Sequence, residues 1–412
     1  MSRLTLTRRE AIVSAGAASI LMFFPGCAAR MAETSAETAT DPELSVLLRS
    51  IGANLLRHQP ETATSLGIDT GEFDGLRSQL ADRSPAGQAA IAATLRADLA
   101  RVEAVDLEPL DIGMRTNFEA VESAYRTALA GFALPYGDVP VGGWRNTPYV
   151  VIQNVGAYID VPRFLDSEHP VADASDAEAY LARLDSFADQ LDGELARMQA
   201  AAEYGLIPPD FLIAKALPQM RSAMENAENP EGSLVTSLAS RTESIPGDWA
   251  ARARAIAQQQ VAPAMARQIA EMERQAPLAT GQAGMWARPA GDEFYRWALR
   301  AATTTTLSPD EIHQLGLTQI AEIQAEMDTI LRGIGYTDGS VGERMTALGS
   351  DPDYLFPNSD AGRQDLLAFL DRRLAMIREK MPQAFDTLVR GNVEIRRLPP
   401  EEEPGAPGAY GG

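Results

Sequence analysis

Three histidines and one cysteine are all that 412 residues offer for metal binding or thiol chemistry. His58 falls in register with Leu44, Leu48, Ile51 and Leu55 at the end of an apolar helical stripe, where a histidine interacts favourably with the helix dipole. His169 precedes Pro170 in the loop "SEHPVADASD" and reads as a local hydrogen-bonding residue. His313, in "SPDEIHQLGL", stands in the first turns of a helix beside Asp310 and Glu311. No two histidines lie within a helical turn of each other and no H-E-x-x-H occurs. A zinc site needs N or S ligands at short spacing, and no motif in the chain supplies them. Asp69-Thr70-Gly71 has the residue order of an aspartic peptidase. That chemistry requires two carboxylates sharing a proton on β-loops, and this single triplet sits between helices. "DGSVG" (338–342) lacks the glycine spacing of a serine nucleophile elbow. From side-chain chemistry alone, no active site assembles.

Cys27 belongs to a different feature. "TRREAIVSAGAASILMFFPGC" has a basic start with Arg8 and Arg9, then an apolar run from Ala11 to Phe24 that is too short for a permanent membrane span. Residues 1–27 therefore read as an export signal. The arginine pair is similar to that of a twin-arginine signal, with a general secretory signal as the alternative. Cys27 after Gly26 is either a lipidation point or part of a leader cleaved after Ala29, which would leave a soluble periplasmic protein. Residues 28–41 read as a flexible spacer. The protein is thus expected outside the cytoplasm of a Gram-negative bacterium, either free in the periplasm or anchored through a lipid on Cys27. A lone cysteine also excludes an internal disulfide. The 57 acidic against 36 basic residues, a net charge of −21, argue against nucleic acid as a partner.

These residues must be positioned by helices. Leu44, Leu47, Leu48, Ile51 and Leu55 form one stripe at helical spacing after Pro42, with Asp41 as its cap. Ser84-Pro85 opens a second helix, and Met114, Phe118, Val121, Tyr125 and Leu129 mark a third. Ser175-x-x-Glu178 reads as a capping box before Leu181, Leu184, Leu191, Leu195 and Met198, with Gly205 closing that helix. Further helices are expected from about Pro209, Asp248, Asp292, Ser308 and Gly362. Two stretches break the pattern. Residues 136–162 are rich in Gly, Pro and β-branched types, leave little room for helix, and include "PYVVIQ" as a possible short strand. "NVEIRRL" (392–398) alternates as a strand would and runs into the loop "PPEEEPGAPGAYGG". The expected class is mainly α: a large multi-helix body over 42–391 with a few short strands, followed by a strand and Pro/Gly loop over 392–412.

Five stretches together carry a family resemblance: "HQPETATSLGID" (58–69), "YVVIQNVGAYIDVPRFL" (149–165), "HPVADASDAEAYLARL" (169–184), "YGLIPPDFLIAKAL" (204–217) and "GMWARPAGDEFYRWALRAATTTTLSPDEIHQLGL" (284–317). They resemble the bacterial family catalogued as domain of unknown function 885. The resemblance implies an exported protein with the helical metallopeptidase architecture of the thermolysin-like and carboxypeptidase Taq-like kind. It implies zinc held by two histidines one helical turn apart and a further carboxylate, with a glutamate activating water to hydrolyse a peptide. The corresponding zinc helix follows a proline-rich loop like Pro399–Tyr410, so none of its ligands map onto this sequence. The chain is expected to be the N-terminal, non-catalytic portion, without zinc of its own, forming one wall of a substrate cleft. Arg396, Arg397 and Tyr410 are the cleft candidates, "VEIRRL" pairing with extended substrate; the alternative is an exposed strand guarded by charges. The competing reading of the whole chain is an envelope lipoprotein acting as a helical binding or scaffold protein.

Overall fold

The computed structural model describes residues 42–143, 146–388, 391, 393 and 395. Among them the fold is all helical, with no strand and a single isolated bridge between Ile152 and Val155. No described helix is long and apolar enough to cross a membrane. The helical body expected over 42–391 divides into two compact units, with the break between Ile312 and His313.

In the first unit, α1 (Pro42–His58), α3 (Pro85–Glu103) and α4 (Ile112–Phe132) share a core built on Ile51, Leu95, Val102, Phe118 and Tyr125. A short α2 (Pro60–Ser65) and a 3-10 turn (Gly71–Ser78) lie between α1 and α3. Ser84 caps α3 by accepting from Gly87 N at 3.2 Å, and Asp111 caps α4 by accepting from Met114 N at 2.9 Å. Each such cap satisfies a backbone donor that has no partner inside the helix. The larger core joins α5 (Ala157–Ser167), α6 (Ala174–Glu203), α7 (Asp210–Glu228), α8 (Ser233–Arg241), α9 (Trp249–Ile256) and α10 (Ala262–Gln275).

The 30-residue α6, about 45 Å long at 1.5 Å per residue, is its axis. Leu184, Phe187 and Leu191 on α6 are fully buried, each stabilising the fold by about 1.5–3 kcal/mol. Its start differs from the Ser175–Glu178 box. Asp173 accepts from Ser175 N at 2.8 Å and Asp176 N at 3.0 Å, so the helix begins one residue before Ser175. Glu178 is left to pair with Arg252, at 2.6 and 2.7 Å. Its end is as expected: Gly205 adopts φ +86°, Leu206 N bonds Ala201 O and Gly205 N bonds Ala202 O, a left-handed close that glycine adopts without strain.

Between α9 and α10 the helix widens into a π turn over Ala257–Val261 and continues without a break. Pro263 explains the widening. A proline lacks the N–H for the residue four back and its ring crowds that carbonyl, and a π turn relieves both.

The described residues of 136–156 lie outside helices, but the end of the 136–162 stretch is helix. Gly156 at φ +129° starts α5 at Ala157, which runs through Pro162. "PYVVIQ" is not a strand: Tyr149, Val150 and Val151 are buried in a bent segment that closes with the Ile152–Val155 turn. β-branched residues were selected there by burial rather than by sheet pairing. α11 (Gly291–Thr303) completes the unit, docking Trp297 against Gly131 and donating its indole N–H to Thr127 O at 2.8 Å.

The second unit holds most of α12 (Pro309–Gly333), α13 (Val341–Gly349) and α14 (Asp360–Lys380). Its small core is Leu331, Ile334 and Leu348. Ser340 and Glu343 form a reciprocal capping box at α13. The expected strand at 392–398 is not formed where it is described: Val393 and Ile395 carry no strand, and Val393 is exposed.

Candidate functional site

Of the residues expected to matter, Arg8, Arg9 and Cys27, the spacer, and the cleft candidates Arg396, Arg397 and Tyr410 lie outside the described residues. His58 sits at the last position of α1, with Nε2 at 2.8 Å from Thr94 Oγ1; burial lowers its pKa. His313 is exposed on α12. Among the described residues no group of three or more His, Cys, Asp or Glu could hold a metal ion. The residues described therefore do not fit a zinc centre.

What the fold builds instead is a groove in the first unit. Two adjoining clefts, of about 830 and 440 Å³, share Gln59, Ala81, Arg83, Pro140, Asp160 and Arg163. The chain from Gln59 to Arg83 forms one bank, and Asp138–Pro140 with the start of α5 forms the other. The guanidiniums of Arg57, Arg83 and Arg163 and the carboxylates of Asp82, Asp138 and Asp160 line it together with the apolar side chains of Ile91, Phe132, Val139 and Ile159.

The floor is an ion network. Arg83 Nη1 meets Glu194 Oε1 at 2.9 Å and Asp160 Oδ2 at 3.2 Å. Glu194 is fully buried, and its two oxygens also accept from Ala157 N at 2.9 and 3.1 Å and from Gln268 Nε2 at 3.1 Å. Glu194 thus does for α5 what a capping side chain normally does, placing a carboxylate at the positive end of the helix dipole. Burial pushes the Glu194 carboxyl up, against the pull of Arg83. Burial also opposes the charge of Arg83, but the Glu194 and Asp160 carboxylates outweigh it and raise its pKa. Arg197 completes the floor, pairing with Asp138 at 2.8 Å and donating to Gly137 O at 2.9 Å.

Behind the Gln59–Arg83 bank lies a second network centred on Arg183, which is fully buried. It donates to Gln79 O at 2.9 Å, Thr64 Oγ1 at 2.6 Å, Leu76 O at 3.1 Å and His169 Nδ1 at 2.7 Å, with Phe164 under its guanidinium. Thr64 donates its hydroxyl to Asp69 at 2.7 Å, and Arg77 bridges Asp69 to Asp176. Burial acts against ionisation of Asp69, yet Arg77 and Thr64 hold its carboxyl below the usual range. Asp69, the tempting member of the Asp-Thr-Gly triplet, is therefore a structural anchor. Glu61 adds a further tie, accepting Ala81 N and Gln190 Nε2, each at 3.1 Å. Sequence reading misses the groove because its residues are ordinary polar types scattered over a hundred positions. Only the clustering of Arg and Asp within 57–83 is visible beforehand, and it looks like a solvated surface.

Over the described residues, fold and groove define an all-helical body with a mixed-charge cleft beside buried ion networks. The chain belongs to the family described as bacterial protein of unknown function (DUF885), whose model matches residues 60–411. It is similar to the crystal structure of a candidate lipoprotein from Colwellia psychrerythraea, with 26% identity and a TM-score of 0.80. That similarity covers 89% of this chain and 64% of the other, so the chain spans less than two thirds of the relative's length. No curated protein matches it.

Proposed function

We propose that this chain forms a non-catalytic, peptide-binding wall of an exported, zinc-peptidase-like protein. The observation that carries the reading is the groove. Its guanidiniums and carboxylates suit the amides and charged side chains of an extended polypeptide, and its apolar lining suits the intervening side chains. The similarity to a protein described as a lipoprotein supports export, with anchoring through Cys27. The groove alone carries no hydrolytic machinery, so catalysis and zinc belong to the whole protein in this reading.

The test is binding and cleavage measured side by side. Unstructured, mixed-sequence fluorescent peptides are expected to bind the chain, giving a salt-sensitive anisotropy change, and to remain intact. Arg57 and Arg163 are exposed, so Arg57→Ala with Arg163→Ala should weaken binding without disturbing the fold. Peptide affinity unchanged in that double variant refutes the groove as the site. Tight stoichiometric zinc or peptide cleavage by the chain itself refutes its non-catalytic role. Binding in the whole protein without any cleavage favours the scaffold reading instead.

A further inference from the structure

His169 and Arg183 make a contact that only one protonation state permits. Arg183 Nη1 stands 2.7 Å from His169 Nδ1, and a guanidinium can only donate. Nδ1 must therefore be the bare nitrogen and Nε2 the protonated one, donating to Asp176 O at 3.0 Å. Any second proton can enter only at Nδ1, against the guanidinium. Both side chains are buried, His169 with 2% of its surface exposed and Arg183 with none, so water cannot screen the two cations that would result.

The other groups around the imidazole leave that conflict in place. From α8, Arg241 donates to His169 O at 2.8 Å and adds a second positive charge. From α6, Asp176 faces the ring through its backbone carbonyl, while its carboxylate is engaged by Arg77 and by Ala172 N. Tyr180 presents its ring edge-on at 5.5 Å. Asp69, Arg77 and Glu61 lie beyond Arg183, on the groove bank. At the end of α5, Glu168 is tied to Ser65 of that same bank.

We propose that the His169–Arg183 contact is an acid-sensitive latch on the binding groove: a proton arriving at Nδ1 expels Arg183 and loosens the Thr64–Gln79 stretch of the bank, which Glu61, Arg77 and Arg83 still tie to Gln190, Asp176 and Glu194 of α6. The bank hangs on this guanidinium at three points, Thr64, Leu76 and Gln79, and it lines both clefts. The latch is a form of regulation of the proposed groove, but it stands on the geometry whether or not the groove binds peptide. Burial, with Arg183 and Arg241 adding to it, lowers the His169 pKa from 6.5 to about 4. A histidine held neutral in this way stabilises the latched state fully above pH 6.5, and the contribution disappears as pH falls toward 4. Opening should grow by about tenfold per pH unit within that window, since each pKa unit of difference is a factor of ten.

The test is hydrogen exchange of the full chain between pH 7 and 4, corrected for the intrinsic pH dependence of exchange. Amides of 64–79 are expected to lose protection steeply below pH 6.5, while those of 184–198 hold theirs. His169→Asn keeps an acceptor facing Arg183 but cannot titrate, and it should flatten the profile. An equal loss of protection in that variant overturns the latch. Should the variant fail to fold, imidazole nitrogen shifts in the wild-type chain decide. The proposal expects the Nε2–H tautomer and a midpoint below 5; the opposite tautomer, or a midpoint near 6.5, overturns it. Peptide binding at pH 7 reports on the groove separately and is independent of either outcome.

Discussion

Removing the Glu194 carboxylate should collapse the groove floor. In Glu194→Ala, Ala157 N at the start of α5 loses its acceptor, Gln268 Nε2 keeps only Leu191 O, and Arg83 loses its buried partner. Removing one member of a buried ion pair costs about 3–5 kcal/mol. Arg83 keeps Asp160, whose side chain is 39% exposed, so the lower end, about 3 kcal/mol, is expected. With urea m-values of about 1–3 kcal/mol per molar, the unfolding midpoint should fall by about 1 M or more, followed by circular dichroism. Glu194→Gln retains one oxygen but turns an amide donor toward other donors, so its loss should be intermediate, about 1–3 kcal/mol. Pairing Glu194→Leu with Arg83→Met removes both charges and should cost less than the sum of the two single changes, with a coupling of about 1–3 kcal/mol. A Glu194→Ala midpoint within about 0.2 M of wild type, or strictly additive single changes, would refute the network as the support of the groove.

Three further outcomes follow from the packing. Gly131→Ala would place a Cβ 2.1 Å from Trp297 Cζ2, and should cost about 1–3 kcal/mol, read as a lowered Tm with altered tryptophan fluorescence. The depressed Asp69 carboxyl contributes stability above pH 3.8 that is lost as pH falls further, so Asp69→Asn should be less stable at pH 7 and show a flatter stability curve below 4. On α12, Ile320 and Ile323 are more than half exposed, so Ile320→Lys with Ile323→Glu should change stability by no more than about 0.5 kcal/mol while reducing self-association in light scattering.

The helices were legible because each is specified locally. Leu181, Leu184, Leu191 and Met198 repeat at helical spacing, Ser84 and Asp111 stand at caps, and Gly205 supplies the left-handed close, all within a few residues of chain. The errors fall where a distant group replaces a local one. α5 has no capping side chain of its own because Glu194, 37 residues later, takes the Ala157 N–H. The buried Tyr149–Val151 segment reads as strand because β-branched residues suit a core as well as a sheet. Arg183 and Thr64 meet across 119 positions, and no periodicity announces such a pair. The loop around His169 marks it in sequence as a hydrogen-bonding residue, but its partner and the protonation state that partner imposes are decided by tertiary structure. Helical class and helix order were thus determined by sequence alone, since short-range hydrogen bonds and apolar stripes encode them. The groove and its buried charges were decided only by the fold, because desolvation and pairing exist only once remote segments have come together.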